Sequence, residues 1–297
     1  GTARAMAMAA FQRARYLSGG ASEEERFGMA ITASLATDRV KRGRHRAHLA
    51  VQTLTETYAL EVALSGNREE EEAALETFGW HALGHALHID LEDPSAAATY
   101  VRRAAERTVA EPTWRGLILG ETQVHATAPH DGMLLLPGAF NPLHHAHEQM
   151  LAIAEARTGL DGAYELSLAN VDKPTLDYRE IQERLGQFRK PVWLTHLPRF
   201  IDKARQFPNA TFAIGVDTLI RIAEARYYGG STRARNDALA ELASLGTRFV
   251  VFGRQLDSGF VVLSDLALPD DLTSRSIEIS EADFAETVSS TELRRQI

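Results

Sequence analysis

Two histidines, His144 and His147, stand three positions apart in the run Met133 to Met150, MLLLPGAFNPLHHAHEQM. An imidazole can donate a proton-bearing nitrogen to a phosphate oxygen, and a spacing of three puts both rings on one helical face. The run itself reads as strand, tight loop and helix. Met133 to Leu136 is apolar, Pro137-Gly138 ends it, and helix-compatible residues begin at about Leu143. A helix that starts beyond the carboxyl end of a strand presents N–H groups without intrahelical partners, and anions bind there. Gly138 lets the backbone approach a ligand, Ala139 and Phe140 carry the loop on, and Pro142 suits a first helical turn.

The same position recurs after later apolar runs, at Asn170 to Lys173, at Gly215-Val216-Asp217 and at Gly253-Arg254. In an open α/β sheet these loops share one edge, so Lys173, Asp217 and Arg254 are expected to meet the histidines in one crevice. Near the chain's end Ser289, Ser290 and Thr291, followed by Arg294, read as a second helix start with hydroxyl caps able to hold phosphate. The plain alternative for a lone histidine is packing or capping, and for Asp217 an N-cap. His145, between the two, is expected at the surface.

Other charged and imidazole groups invite structural readings. His81 and His85 are spaced i, i+4 with His88 and Asp90 nearby, which is metal-ligand spacing, but no Glu follows His81 as a zinc-protease helix requires. Asp38 to Arg46 holds a dense basic run, either a phosphate-binding loop or a solvated one. Glu69 to Glu72 follow the N-cap Asn67 and suit the positive end of a helix dipole.

The elements that must carry these groups fall into two patterns. Residues 3 to 17 are an amphipathic helix, Phe27 to Ala36 a buried strand, and His48 to Leu64 two strands joined by a turn around Thr55 to Thr57. A helix follows from Asn67 to Leu87, and Ser95 to Ala110 is another helix-like segment. Glu111 to Asp131 has no sustained period and reads as a connection, giving a smaller α/β domain over 1–128 and a second domain over 131–297. In the second, apolar runs at 133–136, 164–169, 192–197, 211–214 and 249–252 alternate with helical stretches at 143–157, 177–189, 200–207, 217–226 and 234–245. That alternation predicts a Rossmann-like, doubly wound parallel sheet of five strands, with Phe260 to Leu266 as an added strand or edge cover.

The 297 residues suffice for two domains, and 44% apolar with 24% charged residues is globular composition. A net charge of −8 argues against general nucleic-acid binding. There is no cysteine, which excludes disulfides, thiolate zinc sites and cysteine nucleophiles. No apolar run approaches the ~20 residues of a membrane span, and the start lacks a signal-peptide order, so a cytoplasmic protein without membrane contact is expected. The opening GTARAMAMAAFQRAR lacks an initiator Met, as a fragment would. A homo-oligomer is compatible with all of this.

Gly138-Ala139-Phe140-Asn141-Pro142-Leu143-His144-His145-Ala146-His147 resembles the GxFxPxHxGH signature of the HIGH-motif nucleotidyltransferases. Ser289 to Arg294 resembles their SSTxxR signature, and Lys173 with Arg184 resembles their substrate-side Lys and Arg. Gly215-Val216-Asp217-Thr218-Leu219 is similar to the G-x-D stretch of nicotinamide or nicotinic acid mononucleotide adenylyltransferases. Ala146 replaces the signature's Gly. The resemblance covers residues 131 to 297 and implies adenylyl transfer from ATP, with Mg²⁺, to a small phosphate-bearing mononucleotide and release of pyrophosphate.

It further implies that His144, His147, Lys173 and Arg294 are catalytic. Gly138, Ala139, Phe140, Pro142, Gly215, Asp217, Arg254, Ser289, Ser290 and Thr291 would bind nucleotide. Cytidylyl transfer from CTP to a phosphorylated alcohol, and a nucleotide sensor or scaffold with weak catalysis, are the rival expectations. Ala3 to Arg15 with Gly28 to Leu35 resembles part of the C-terminal domain of CinA, a nicotinamide mononucleotide amidase fold. That family's catalytic loop lies upstream of the matching stretch, so no amidase activity is implied.

Overall fold

The computed structural model describes residues 1–19, 22–39, 43–89, 100–169, 174–256 and 259–284. The chain forms two compact units, Gly1–Leu119 with Asp172–Gln182, and Gly120–Val171 with Glu183–Ile297.

The first unit runs α1 (Thr2–Leu17), β1 (Phe27–Ser34), β2 (Arg46–Thr53), β3 (Glu56–Leu64), α2 (Arg68–Ala86), β4 (Tyr100–Val109) and α3 (Pro112–Leu119). Its four strands form an antiparallel meander in chain order. Strand parity divides the packing, because successive side chains point to opposite faces. Ala47, Leu49 and Val51 pack with Ala74, Phe78, Ala82 and Ala86 of α2, whereas Ala30 and Ala50 meet Ala3 and Ala7 of α1. The helices therefore cover opposite faces. Gly28 is where α1 comes closest, since a Cβ there would lie 2.0 Å from the Ala7 carbonyl oxygen. Asp177 and Tyr178 belong to this unit: Arg4 pairs with Asp177 at 3.0 Å, and the Tyr178 hydroxyl donates to the Leu54 carbonyl at 2.7 Å.

Two expectations are corrected here. The described part of Ser95 to Ala110 is the strand β4, paired along β3, because sheet pairing outweighs the helix propensity of an Ala- and Arg-rich stretch. Arg107 and Glu106 suit it, as charges on an edge strand discourage further pairing. The supposed connection Glu111 to Asp131 contains α3, which buries Trp114, Leu117 and Ile118, too short a stretch to show a period. The hairpin turn of β2 and β3 falls at Leu54-Thr55.

The second unit runs β5 (Val124–Ala126), β6 (Leu134–Pro137), α4 (His145–Thr158), β7 (Gly162–Ser167), the end of α5 (Tyr178–Leu185), β8 (Val192–Thr195), α6 (Phe200–Gln206), β9 (Thr211–Gly215), α7 (Val216–Ala223), α8 (Thr232–Ser244), β10 (Arg248–Phe252), β11 (Arg254–Leu256), β12 (Gly259–Val261), α9 (Asp270–Thr273) and β13 (Ser276–Ile279). It is α/β, with a mixed sheet of seven strands ordered β13-β10-β9-β6-β7-β8-β5. All neighbours are parallel except β5, which runs antiparallel to β8. Five parallel strands were expected. β5 is three residues, β13 alternates Ser, Ile, Glu and Ile without the apolar run that marks β6 and β8, and Phe260 lies instead in a separate two-stranded hairpin of β11 and β12. Leu135, Phe212, Ile214, Phe249 and Val251 share a core with Ile201, Leu219, Leu239 and Leu242 from α6, α7 and α8. α4 lies against β6, β7 and β9. The strand order reverses at β6, flanked by β7 on one side and β9 on the other, and a ligand crevice forms at the carboxyl edge of such a reversal.

Candidate functional site

The loop leaving β6 is built around Phe140. Its ring is 1% exposed and makes edge-to-face contacts with His147, Tyr164 and Phe188 at centroid distances of 5.1, 5.2 and 5.1 Å. The residue has φ 45°, a left-handed backbone that costs a non-glycine side chain ~1 kcal/mol. Gly138 is required by the same fold-back, because a Cβ would sit 2.6 Å from the Phe140 ring. The Gly138 N–H donates to the Glu165 carbonyl at 3.0 Å, joining the loop to β7. Asn141-Pro142 is a cis peptide.

Two side chains hold the loop carbonyls. Arg184 Nη1 donates to the Ala139 carbonyl at 3.1 Å, and Gln187 Nε2 donates to that of Phe140 at 3.1 Å. Gln187 Oε1 also accepts the Leu143 N–H at 2.8 Å. The chain then enters α4 with His144 as N-cap residue, followed by His145, which is exposed. Ala146 is buried in the first turn at 5% exposure.

His144 and His147 stack with ring centroids 3.8 Å apart. The backbone N–H of His144 donates to His147 Nδ1 at 3.3 Å. A nitrogen that accepts carries no proton, so neutral His147 holds its proton on Nε2. Burial, then the neighbouring His144 and then the Arg254 guanidinium push the pKa of His147 down to about 3. The ring is consequently neutral at physiological pH and offers Nε2–H as a donor, one turn inside a helix N-terminus of fourteen residues.

Across the reversal, β9 ends at Gly215 and α7 begins at once. Asp217 Oδ1 and Arg254 Nε face each other at 3.5 Å, and both atoms are buried without a hydrogen-bond partner among the described residues. Gly215 lies beneath them; a Cβ would come within 2.5 Å of Asp217 Oδ1 and 3.0 Å of Arg254 Nε. The register Leu134↔Thr211 and Gly215↔Phe252 brings the ends of β6, β9 and β10 to one edge.

Of the residues singled out in sequence, Gly138, Ala139, Phe140, Pro142, His144, His147, Gly215, Asp217 and Arg254 thus gather at that edge. Lys173, Ser289, Ser290, Thr291 and Arg294 lie outside the described residues. Arg184 turns its guanidinium onto the loop. Gln187 was not foreseen, because a partner forty-four positions from Leu143 leaves no local signal.

In the first unit two histidines, His85 and His45, answer to buried carboxylates. His85 Nε2 meets Glu56 and stacks on Tyr58 at 4.1 Å, and His45 Nδ1 meets Glu71 at 2.6 Å. No group of three or more His, Asp or Glu able to hold a metal occurs among the described residues, and no described helix is long and apolar enough to cross a membrane.

No family model, curated protein or solved structure matches the chain.

Proposed function

We propose that the second unit is a Rossmann-like nucleotidyltransferase domain that binds a nucleoside triphosphate at the edge formed by α4, Gly215-Asp217 and Arg254. The observation that carries this reading is His147: a neutral imidazole with its proton on Nε2, set in the first turn of α4 and within electrostatic reach of Arg254. Helix N–H groups, a neutral donor and a guanidinium together suit a polyphosphate, whose charge is spread over several oxygens.

The reaction we assign is attack by an acceptor phosphate oxygen on the α-phosphorus of ATP. The new P–O bond forms as the bond to the bridging β-phosphate oxygen breaks, and pyrophosphate leaves with that electron pair. An ionised phosphate needs no protein base, so alignment and stabilisation of developing charge supply the rate. His144 and His147 are assigned to the triphosphate, and Arg254 to an outer phosphate. Gly138, Ala139, Phe140 and Pro142 shape the loop, and Asp217 over Gly215 contacts the nucleotide. Lys173 on the acceptor side and Ser289, Ser290, Thr291 and Arg294 on the leaving phosphates complete the assignment from the sequence signatures. Asp217 already faces Arg254, so Mg²⁺ would be carried by the triphosphate and water; it would neutralise phosphate charge.

The acceptor is assigned as nicotinamide or nicotinic acid mononucleotide on the G-x-D resemblance, with cytidylyl transfer from CTP to a phosphorylated alcohol as the rival. The buried methyl of Ala146 favours a third reading, a nucleotide sensor or scaffold, since it narrows the first turn of α4. Pyrophosphate release with ATP or CTP, each offered with mononucleotide and phospho-alcohol acceptors, separates them. Release with ATP and a nicotinamide-type mononucleotide is expected. Silence in every combination, with binding still seen by calorimetry, would leave the sensor. The first unit is proposed as an accessory CinA-like nucleotide domain without amidase activity.

A further inference from the structure

The loop leaving β6 meets the neighbouring strand β7 through the Gly138 N–H on the Glu165 carbonyl and the Phe140 ring on Tyr164. Its far half, from Phe140 to Leu143, holds a left-handed non-glycine residue, a backbone state that persists only where its surroundings hold it. A single side chain spans this half. Gln187 Nε2 donates to the Phe140 carbonyl at 3.1 Å and to the Arg184 carbonyl at 3.4 Å, while Oε1 accepts the Leu143 N–H at 2.8 Å. The amide orientation follows from the partners, because the exchanged form would aim NH₂ at an N–H and oxygen at two carbonyls. The backbone of Gln187 is itself fixed, its N–H bonding to the Arg184 carbonyl at 3.2 Å.

We infer that Gln187 is the positioning residue of the phosphate loop, fixing Phe140 and Leu143 on either side of Asn141-Pro142 so that His144 and His147 are presented for a polyphosphate. Leu143 directly precedes the N-cap. With its N–H tethered, the next N–H, that of His144, is aimed at His147 Nδ1. That bond places the proton of neutral His147 on Nε2. Gln187 touches no ligand in this scheme; it acts through the backbone it holds. Arg184 is its companion on the near half, through the Ala139 carbonyl. The inference rests on the nucleotidyl-transfer reading for its ligand, but the loop geometry stands apart from it.

Gln187→Glu keeps the acceptor for Leu143 and replaces the donor by a second acceptor facing two carbonyls. Gln187→Met keeps the length and removes both bonds. Both variants are to be made in the full chain. Amide exchange at Leu143 and the ¹⁵N shifts of the His147 ring report the loop without any ligand. Calorimetry with ATP and Mg²⁺ reports binding. The expected result is Leu143 exchange at least tenfold faster in Gln187→Met but not in Gln187→Glu. Loss of the single His147 tautomer is expected in Gln187→Met, where the Leu143 tether is gone, and an ATP dissociation constant raised about tenfold in both, with global melting little changed. Unaltered His147 shifts in a folded Gln187→Met variant would overturn the inference. Altered shifts in a protein whose wild type binds neither ATP nor CTP would instead refute the nucleotide reading and leave the positioning role standing.

Discussion

Two pairs of histidines at helical spacing, His81 with His85 on α2 and His144 with His147 at the start of α4, place His85 and His147 in opposite environments. His85 lies against Glu56, a carboxylate 2% exposed that also receives Arg107 Nε at 2.5 Å. His147 meets a second imidazole, a phenyl ring and a backbone N–H, and pairs with no carboxylate among the described residues. A histidine whose partner is a buried anion closes a charge within the fold. One held neutral with its proton on Nε2 suits an anion from outside. Spacing is the same kind of signal in both, and the surrounding carboxylates decide between structure and chemistry.

The sharpest way to break this contrast is substitution at the second pair. His147→Ala is expected to lower turnover by about 10²-fold or more, with a small change in melting, if its donor acts mainly in the transition state. Steady-state kinetics on a folded variant that show unchanged turnover would end the catalytic assignment. In the first unit the order reverses: Gly28→Ala forces a Cβ into the α1 backbone and should cost about 3 kcal/mol in urea unfolding, without altering nucleotide affinity. His85→Ala should cost about 2 kcal/mol by leaving Glu56 with Arg107 alone, again with nucleotide binding intact. A loss of affinity in either would show that the first unit serves the site.

The pH response sharpens the comparison further. The folded pKa of His147 lies far below its ordinary value, so the unfolded chain takes up the proton first. The stability this neutral ring contributes is fully present above about pH 6.5 and is lost as the pH falls toward about 3, at up to about 1.4 kcal/mol per pH unit. Urea titrations at pH 6 and pH 5 should therefore differ by about 1 kcal/mol less in His147→Gln than in the wild type. Equal differences would place the burial of His147 in doubt. The smallest effect is expected for Ala146→Gly: about 1 kcal/mol lost from the first turn of α4 and a less than tenfold gain in ATP affinity by calorimetry. No gain would remove Ala146 as the cause of a narrowed site.

Much of the second unit was legible because its signals are local. An apolar run, a Pro-Gly break and a helix start are neighbours in the chain, so β6, the loop and α4 fall within one or two residues of expectation. β5 and β13 were not legible, since neither carries an apolar run like that of β6 and each is defined by its pairing with β8 or β10. β4 failed for the same reason in reverse: its residues favour a helix in isolation, and β3 supplies the hydrogen bonds that decide otherwise.

Residue type and spacing alone therefore determined that His144 and His147 meet at a helix start behind a glycine-bearing loop, and that Asp217 and Arg254 follow strand ends. Backbone geometry and periodicity enforce such things over a few residues. The tertiary structure decided what no local rule contains: that Arg254 reaches Asp217 across Gly215, that Gln187 holds the loop from forty-four residues away, and that His147 is kept neutral. Each depends on desolvation or on a partner distant in sequence, and both arise only when the sheet brings the ends of β6, β9 and β10 to one edge.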